Sequence, residues 1–125
     1  MPRTTLKSSN PALKDVPFSA GVWSGKTLYL SGQVGLDPET GTLAEGGIAA
    51  QTRQALANIA GVLKEAGKNV GDVLKANIYL TDMADYAAMN EAYAAVFEKP
   101  YPARTCVAVA ALPLGAKVEI EVIAR

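Results

Sequence analysis

Apolar residues recur along this chain with two different periods, and the change of period from one stretch to the next outlines its elements. From Ile48 to Ala66 the set Ile48, Thr52, Ala55, Leu56, Ile59, Val62, Leu63 and Ala66 steps by three and four, which predicts a helix with one buried face. Gly67 supplies its C-cap, and Lys64 and Lys68 suit the negative end of its dipole. Before it lie shorter, β-prone runs: a leading strand over Thr4 to Lys7 that reaches a turn at Asn10-Pro11, then Phe18 to Trp23 and Thr27 to Val34. Ser24-Gly25-Lys26 divides the last two as a hairpin turn. Alternation puts Tyr29, Ser31 and Gln33 on one face of the second run and Leu28, Leu30 and Val34 largely on the other. Asp37-Pro38-Glu39-Thr40-Gly41 is a turn, and Gly46-Gly47 closes the loop before the helix.

After the helix, Val73 to Leu80 predicts a strand whose apolar set is Val73, Ala76, Ile78 and Leu80. Thr81 or Asp82 caps a second helix, expected from about Met83 to Glu98 and ended by Pro100, with Tyr86, Asn90, Tyr93 and Phe97 as its inward stripe. Two closing strands follow. In the first, Arg104, Cys106 and Ala108 share a face opposite Thr105, Val107 and Val109. In the second, Lys117, Glu119 and Glu121 share a face with Val118, Ile120 and Val122 behind them. One domain over residues 1–125, a sheet covered by helices on one face, accommodates this order. The uncovered face, expected to carry Cys106, Ala108 and Tyr29, is too apolar for water, so self-association with closed rotational symmetry is expected there.

Composition narrows the chemistry. Lys plus Arg and Asp plus Glu are 12 each, so no basic field recommends a nucleic-acid partner. The single cysteine precludes an intrachain disulfide, and the sequence shows neither a leader-like stretch nor an apolar run long enough to cross a bilayer, so a reducing, cytoplasmic setting is expected. Histidine is absent, which removes Ser-His and Cys-His triads and imidazole metal sites. Catalysis here is left to carboxylates, Arg, Lys, Tyr, Cys or ordered water.

Against that inventory, Arg104 and Glu119 stand out as charged residues in apolar strands. Pattern alone allows each two readings: Arg104 is a solvated strand-edge residue or a planar fork for a carboxylate, and Glu119 is a surface group or a base that orients water. Cys106 reads as a small buried hydrophobe, with a ligand role left to its backbone N–H. Asn90 is an amide in an aromatic stripe, satisfied by a carbonyl or by a ligand. Ser31-Gly32-Gln33 interrupts a strand with a glycine, which marks a bulge or the close approach of a ligand.

Taken together, Ser31-Gly32-Gln33, Gln51-Thr52 through Leu56 and Asn58, Asp82-Met83, Asn90, Pro102-Ala103-Arg104 and Val118-Glu119-Ile120-Glu121 resemble the RidA (YjgF) family of reactive intermediate and imine deaminases. The resemblance spans about Ala12 to Ala124. It implies an α+β, chorismate-mutase-like two-layer sandwich, a mixed sheet of about six strands with two helices on one face, assembled as a homotrimer with clefts between subunits and using no metal or other cofactor. The implied activity is hydrolysis of 2-enamine and 2-imino acids, such as 2-aminoacrylate and 2-iminobutanoate, to 2-oxo acids and ammonia. In it Arg104 clamps the substrate carboxylate with help from the N–H of Cys106, Glu119 serves the attacking water, and Phe18, Ser31 and Asn90 line the cleft. Phe18 departs from the family: its Val16-Pro17-Phe18 stands where Gly-Pro-Tyr is usual, so a phenol hydroxyl is missing. That leaves a non-catalytic carboxylate-binding or regulatory trimer as the alternative, with an endoribonuclease behind it.

Overall fold

Residues 2–8 and 10–125 are described in the computed structural model of the chain. Met1 and Ser9, both inside the domain expected over 1–125, lie outside the described residues. Seven strands make one mixed sheet: β1 (Thr4–Thr5), β2 (Gly21–Ser24), β3 (Thr27–Leu30), β4 (Gln33–Val34), β5 (Val73–Leu80), β6 (Ala103–Ala108) and β7 (Val118–Ala124). They lie in the order β1-β2-β3-β7-β5-β6, with β4 also paired to β7. Every pairing is antiparallel except β5 with β6, which run parallel across a helical crossover. Helices α1 (Gly47–Glu65) and α2 (Tyr86–Ala94) cover one face, as the sequence predicts.

The predicted stripe of α1 is the buried one. Thr52, Ala55, Leu56, Ile59 and Leu63 are buried against Val118, Ile120, Val122 and Ala124 of β7 and against Ala76, Ile78 and Leu80 of β5. Gly67, at φ 74°, takes the left-handed position after the helix, and its N–H and that of Lys68 bond the Lys64 and Leu63 carbonyls. Polar residues of α1 tie down the irregular chain beside it: Asn58 Nδ2 donates to the Val34 and Leu36 carbonyls, and Gln51 Oε1 accepts from the Lys117 N–H.

Several expectations are corrected. The second helix is shorter than Met83 to Glu98, because Asp82 caps a 3-10 turn over Met83–Asp85 through the Ala84 N–H, and the chain beyond Ala94 tightens as the Val96 N–H turns back to the Tyr93 carbonyl. Phe97 is thereby driven into the core, 4.5 Å from the Tyr93 ring, while Tyr86, expected inside, is exposed. Strand β2 begins at Gly21, so Phe18 precedes it in a bend, and β1 stops at Thr5 instead of Lys7. Between β3 and β4 the register slips: Tyr29 faces Ile123 but Gln33 faces Ile120, four steps against three, so the bulge at Ser31-Gly32 moves Gln33 to the helix side and Val34 beside Glu119. A second irregularity at exposed Leu74 returns Val73 to the core, which explains why the apolar set of β5 mixes parities.

Finally, Cys106 does not belong to the open face. It pairs with Ile78 and packs on the core, whereas Thr105 and Val107 of β6, Asn77 and Tyr79 of β5, Glu119 and Glu121 of β7 and Tyr29 of β3 make up the side without helices.

Candidate active site

The residues with candidate chemistry fall into two groups, one on each face of the sheet. On the helix side, at the edge strand β6, Arg104 pairs with Ala76 and reaches across to α2. Its Nη2 donates to the Tyr86 hydroxyl at 3.0 Å, and its guanidinium carbon lies 5.0 Å from the Tyr93 ring centre and 5.6 Å from that of Tyr86. Among the described residues no carboxylate pairs with it. A pocket of about 300 Å³ opens here, lined by Asn90, Tyr93, Ala94, Tyr101, Pro102 and Arg104. Two polar atoms of its wall, Asn90 Oδ1 and Tyr93 Oη, are buried without a hydrogen-bond partner among the described residues.

Cys106 lies two residues along the same face. Burial pushes its thiol up, outweighing the opposite pull of Arg104, so it stays protonated at neutral pH and is no nucleophile. Its N–H is another matter. The Val109 N–H donates to the Leu80 carbonyl at 2.7 Å, and because N–H groups alternate along a strand, those of Thr105 and Val107 also point to β5. The Cys106 N–H therefore faces outward from the edge, free for a ligand.

On the opposite side, Glu119 stands next to Tyr79 across the β5–β7 ladder. A Cβ placed on Gly32 would come 2.6 Å from Glu119 Oε2, so the glycine of the bulge is what lets this carboxylate lie against the backbone. Burial, and then the neighbouring Glu121 charge, push the Glu119 carboxyl above its ordinary range. Glu121 itself is occupied: it accepts from Tyr79 Oη at 2.6 Å and Asn77 Nδ2 at 3.2 Å, and that bond, with burial and the two carboxylates, pushes the Tyr79 phenol up to about 12. Ser31 Oγ donates to the Ser19 carbonyl at 2.6 Å, pinning the bend that presents Phe18, which is 55% exposed beside a second pocket of about 360 Å³ with Leu6, Leu13 and Ser19 on its walls.

The sign of the Glu119 shift gives a test. A raised folded-state pKa means that the folded chain binds protons more readily than the unfolded one, so this group's contribution to stability falls as pH rises from the ordinary carboxylate range through the folded value. Glu119→Gln is expected to melt above wild type at about pH 7, and the gap is expected to close by about pH 4, where wild type is protonated too. A gap independent of pH in calorimetric scans would show that the gain comes from packing rather than from charge.

The six residues singled out from sequence thus divide: Arg104, Asn90 and Cys106 gather on the helix side of β6, and Glu119, Ser31 and Phe18 lie with the bulge and the bend before β2. The structure adds Tyr86, Tyr93 and Tyr101 to the first group and Gly32 to the second. Of these, only Gly32 had a signal in the sequence, a glycine inside a strand; Tyr86 and Tyr93 looked like core. The chain has no histidine, and among the described residues no three Cys, Asp or Glu side chains converge as metal ligands.

A family model described as endoribonuclease L-PSP matches residues 9–125. A 2-iminobutanoate/2-iminopropanoate deaminase of Mus musculus is 46% identical over 108 residues, covering 86% of this chain and 80% of that protein. A RutC family protein of Drosophila melanogaster is 43% identical over 122 residues, 98% of this chain and 88% of that one. Among solved structures, RidA from an Antarctic Psychrobacter superposes with a TM-score of 0.89 at 44% identity over 98% of both chains, and Escherichia coli TdcF with bound serine with 0.87 at 35% identity over 97% of both.

Proposed function

The chain belongs to the endoribonuclease L-PSP family, which includes RidA, and from that premise we propose that it hydrolyses 2-imino acids, and 2-enamine acids through their imine tautomers, to 2-oxo acids and ammonia. The observation that carries this reading is the state of Arg104, a permanently charged fork with, among the described residues, one hydrogen bond to a neutral phenol and no carboxylate of its own. It is suited to take the carboxylate of a small anion in two parallel bonds, with the outward N–H of Cys106 beside it. Deaminase relatives 43–46% identical over 86% of the chain support the same reaction.

In the proposed mechanism Glu119 takes a proton from water as the water oxygen attacks the imine carbon, the C=N π electrons move to nitrogen, and Glu119 returns that proton to the nitrogen to give the neutral carbinolamine. Glu119 then carries the carbinolamine hydroxyl proton to the amino nitrogen, and as the C–N bond breaks the O–H electrons form the 2-oxo C=O bond and ammonia leaves. Free imines hydrolyse unaided, so positioning and one carboxylate are enough. Raising the Glu119 carboxyl towards neutrality makes it a better base for this step.

Arg104 and Glu119 project from opposite faces of one sheet. A single substrate meets both only if they come from different copies, so we place the reaction in clefts between the subunits of a homotrimer, Arg104, Asn90 and Cys106 from one and Glu119, Ser31 and Phe18 from its neighbour. The helix-free face, with Tyr29 and Val107 exposed on it, is the surface proposed to associate. We place the protein in the cytoplasm, in keeping with its lone free cysteine; among the described residues no helix is long and apolar enough to cross a membrane.

The test is ammonia release from 2-iminobutanoate generated in situ by an amino-acid oxidase, run on wild type, on Arg104→Ala, on Glu119→Gln and on a co-refolded mixture of the two variants. Each variant alone is expected to be inactive. In randomly mixed trimers three quarters contain both variants, and each of those has one intact cleft in three, so about a quarter of wild-type activity returns. A mixture that stays at background would put both groups in one subunit's site. Wild type that binds 2-oxobutanoate without releasing ammonia would instead make the chain a carboxylate-binding module.

A further inference from the structure

We infer that Tyr86 is a positioning residue for the carboxylate clamp, an inference that rests on the deaminase reading and names a part of its site. An arginine at a strand edge has several rotatable bonds, and its fork is useful for a planar carboxylate only when the plane and one edge are fixed in advance. Tyr86 does both from the first turn of α2. Its hydroxyl oxygen accepts from Arg104 Nη2 at 3.0 Å, and its ring, with that of Tyr93, lies within cation–π range of the guanidinium carbon, at 5.6 Å and 5.0 Å. One N–H of five is consumed, leaving four for a ligand.

The placement of Tyr86 is not what core packing selects. It is 38% exposed, on a helix whose buried positions are Met89, Ala92 and Tyr93, so its ring makes a small contribution to the core. Among the described residues its hydroxyl has one hydrogen bond, the one to Arg104. A phenylalanine there would keep the ring and lose only the group that holds Nη2. Tyr86 thus supplies a phenol at the carboxylate end of the site, where it acts on the clamp and not on the substrate's other end.

The test is a double-mutant cycle read by calorimetric binding of 2-oxobutanoate and by steady-state deamination, with thermal midpoints as a control. Tyr86→Phe is expected to weaken binding and raise KM about fivefold with kcat within about twofold of wild type, the size of one hydrogen bond lost from an otherwise intact clamp. In an Arg104→Lys background, which has no Nη2 to hold, Tyr86→Phe is expected to change nothing further. The inference is overturned if Tyr86→Phe binds like wild type, or if it weakens binding as much in the lysine background, which would mean contact with the ligand itself. If wild type neither binds 2-oxobutanoate nor releases ammonia, the deaminase reading falls and this inference falls with it; if wild type does both and only the cycle is additive, the deaminase reading stands alone.

Discussion

Arg104→Ala is expected to lower kcat/KM for 2-iminobutanoate by about a thousandfold and to abolish measurable 2-oxobutanoate binding, the scale of about 4 kcal/mol that follows when one half of a close charge pair is truncated. Its thermal midpoint is expected within about 3 °C of wild type. Both halves follow from the same geometry: the guanidinium sits at a sheet edge, held by one phenol and two ring faces, with no ion pair to break among the described residues. A midpoint lowered by ten degrees with activity retained would make Arg104 a structural residue and remove the clamp from the mechanism.

The second large effect is expected from a methyl group. At Gly32 an added Cβ would sit 2.6 Å from Glu119 Oε2, and the far end of a glutamate side chain can swing away, so Gly32→Ala should fold nearly as well as wild type. The displaced carboxylate no longer meets the water, and a misplacement of about 1 Å is worth roughly a hundredfold in kcat. Gly35 makes the contrast. A Cβ there would meet the backbone of Gln51 at 2.5 Å, and helix α1 cannot yield without leaving the core, so Gly35→Ala is expected to lose about 2–3 kcal/mol of stability. Kinetics and denaturant melts on the two variants separate these outcomes. Equal loss of stability at both positions would show that Gly32 serves the bulge and not the carboxylate.

Much of this was legible in the residues. The period of α1 names its buried face correctly: five of the eight positions are buried, and Ile48, Val62 and Ala66 pack partly buried against the same core. The alternation of β6 and β7 correctly groups Arg104 with Cys106 and Glu119 with Glu121. What alternation withholds is which group faces the helices, because that depends on β7 entering between β3 and β5, a long-range pairing that no local pattern encodes. For the same reason Cys106 was assigned to the wrong side. The bulge at Ser31-Gly32 adds one residue and reverses the faces beyond it, so the shared face expected for Tyr29, Ser31 and Gln33 fails at its last member. Tyr86 misleads in sequence because its i+4 and i+7 partners are Asn90 and Tyr93, and the helix buries only the far end of that stripe. An exposed aromatic that belongs to a neighbouring arginine looks, in sequence, the same as one that belongs to the core.

The division of Arg104 and Glu119 between the two sides of the sheet reaches beyond the cleft. In the cleft proposed between copies, a chain that has folded but stands alone would hold a clamp without a base and a base without a clamp, so folding by itself is expected to yield no catalyst. Output is then expected to follow the concentration of assembled particles: newly made chains would stay inert until they meet, and dilution below the dissociation constant should silence the protein while its circular dichroism is unchanged. In that proposal quaternary assembly is the last step in building the active site.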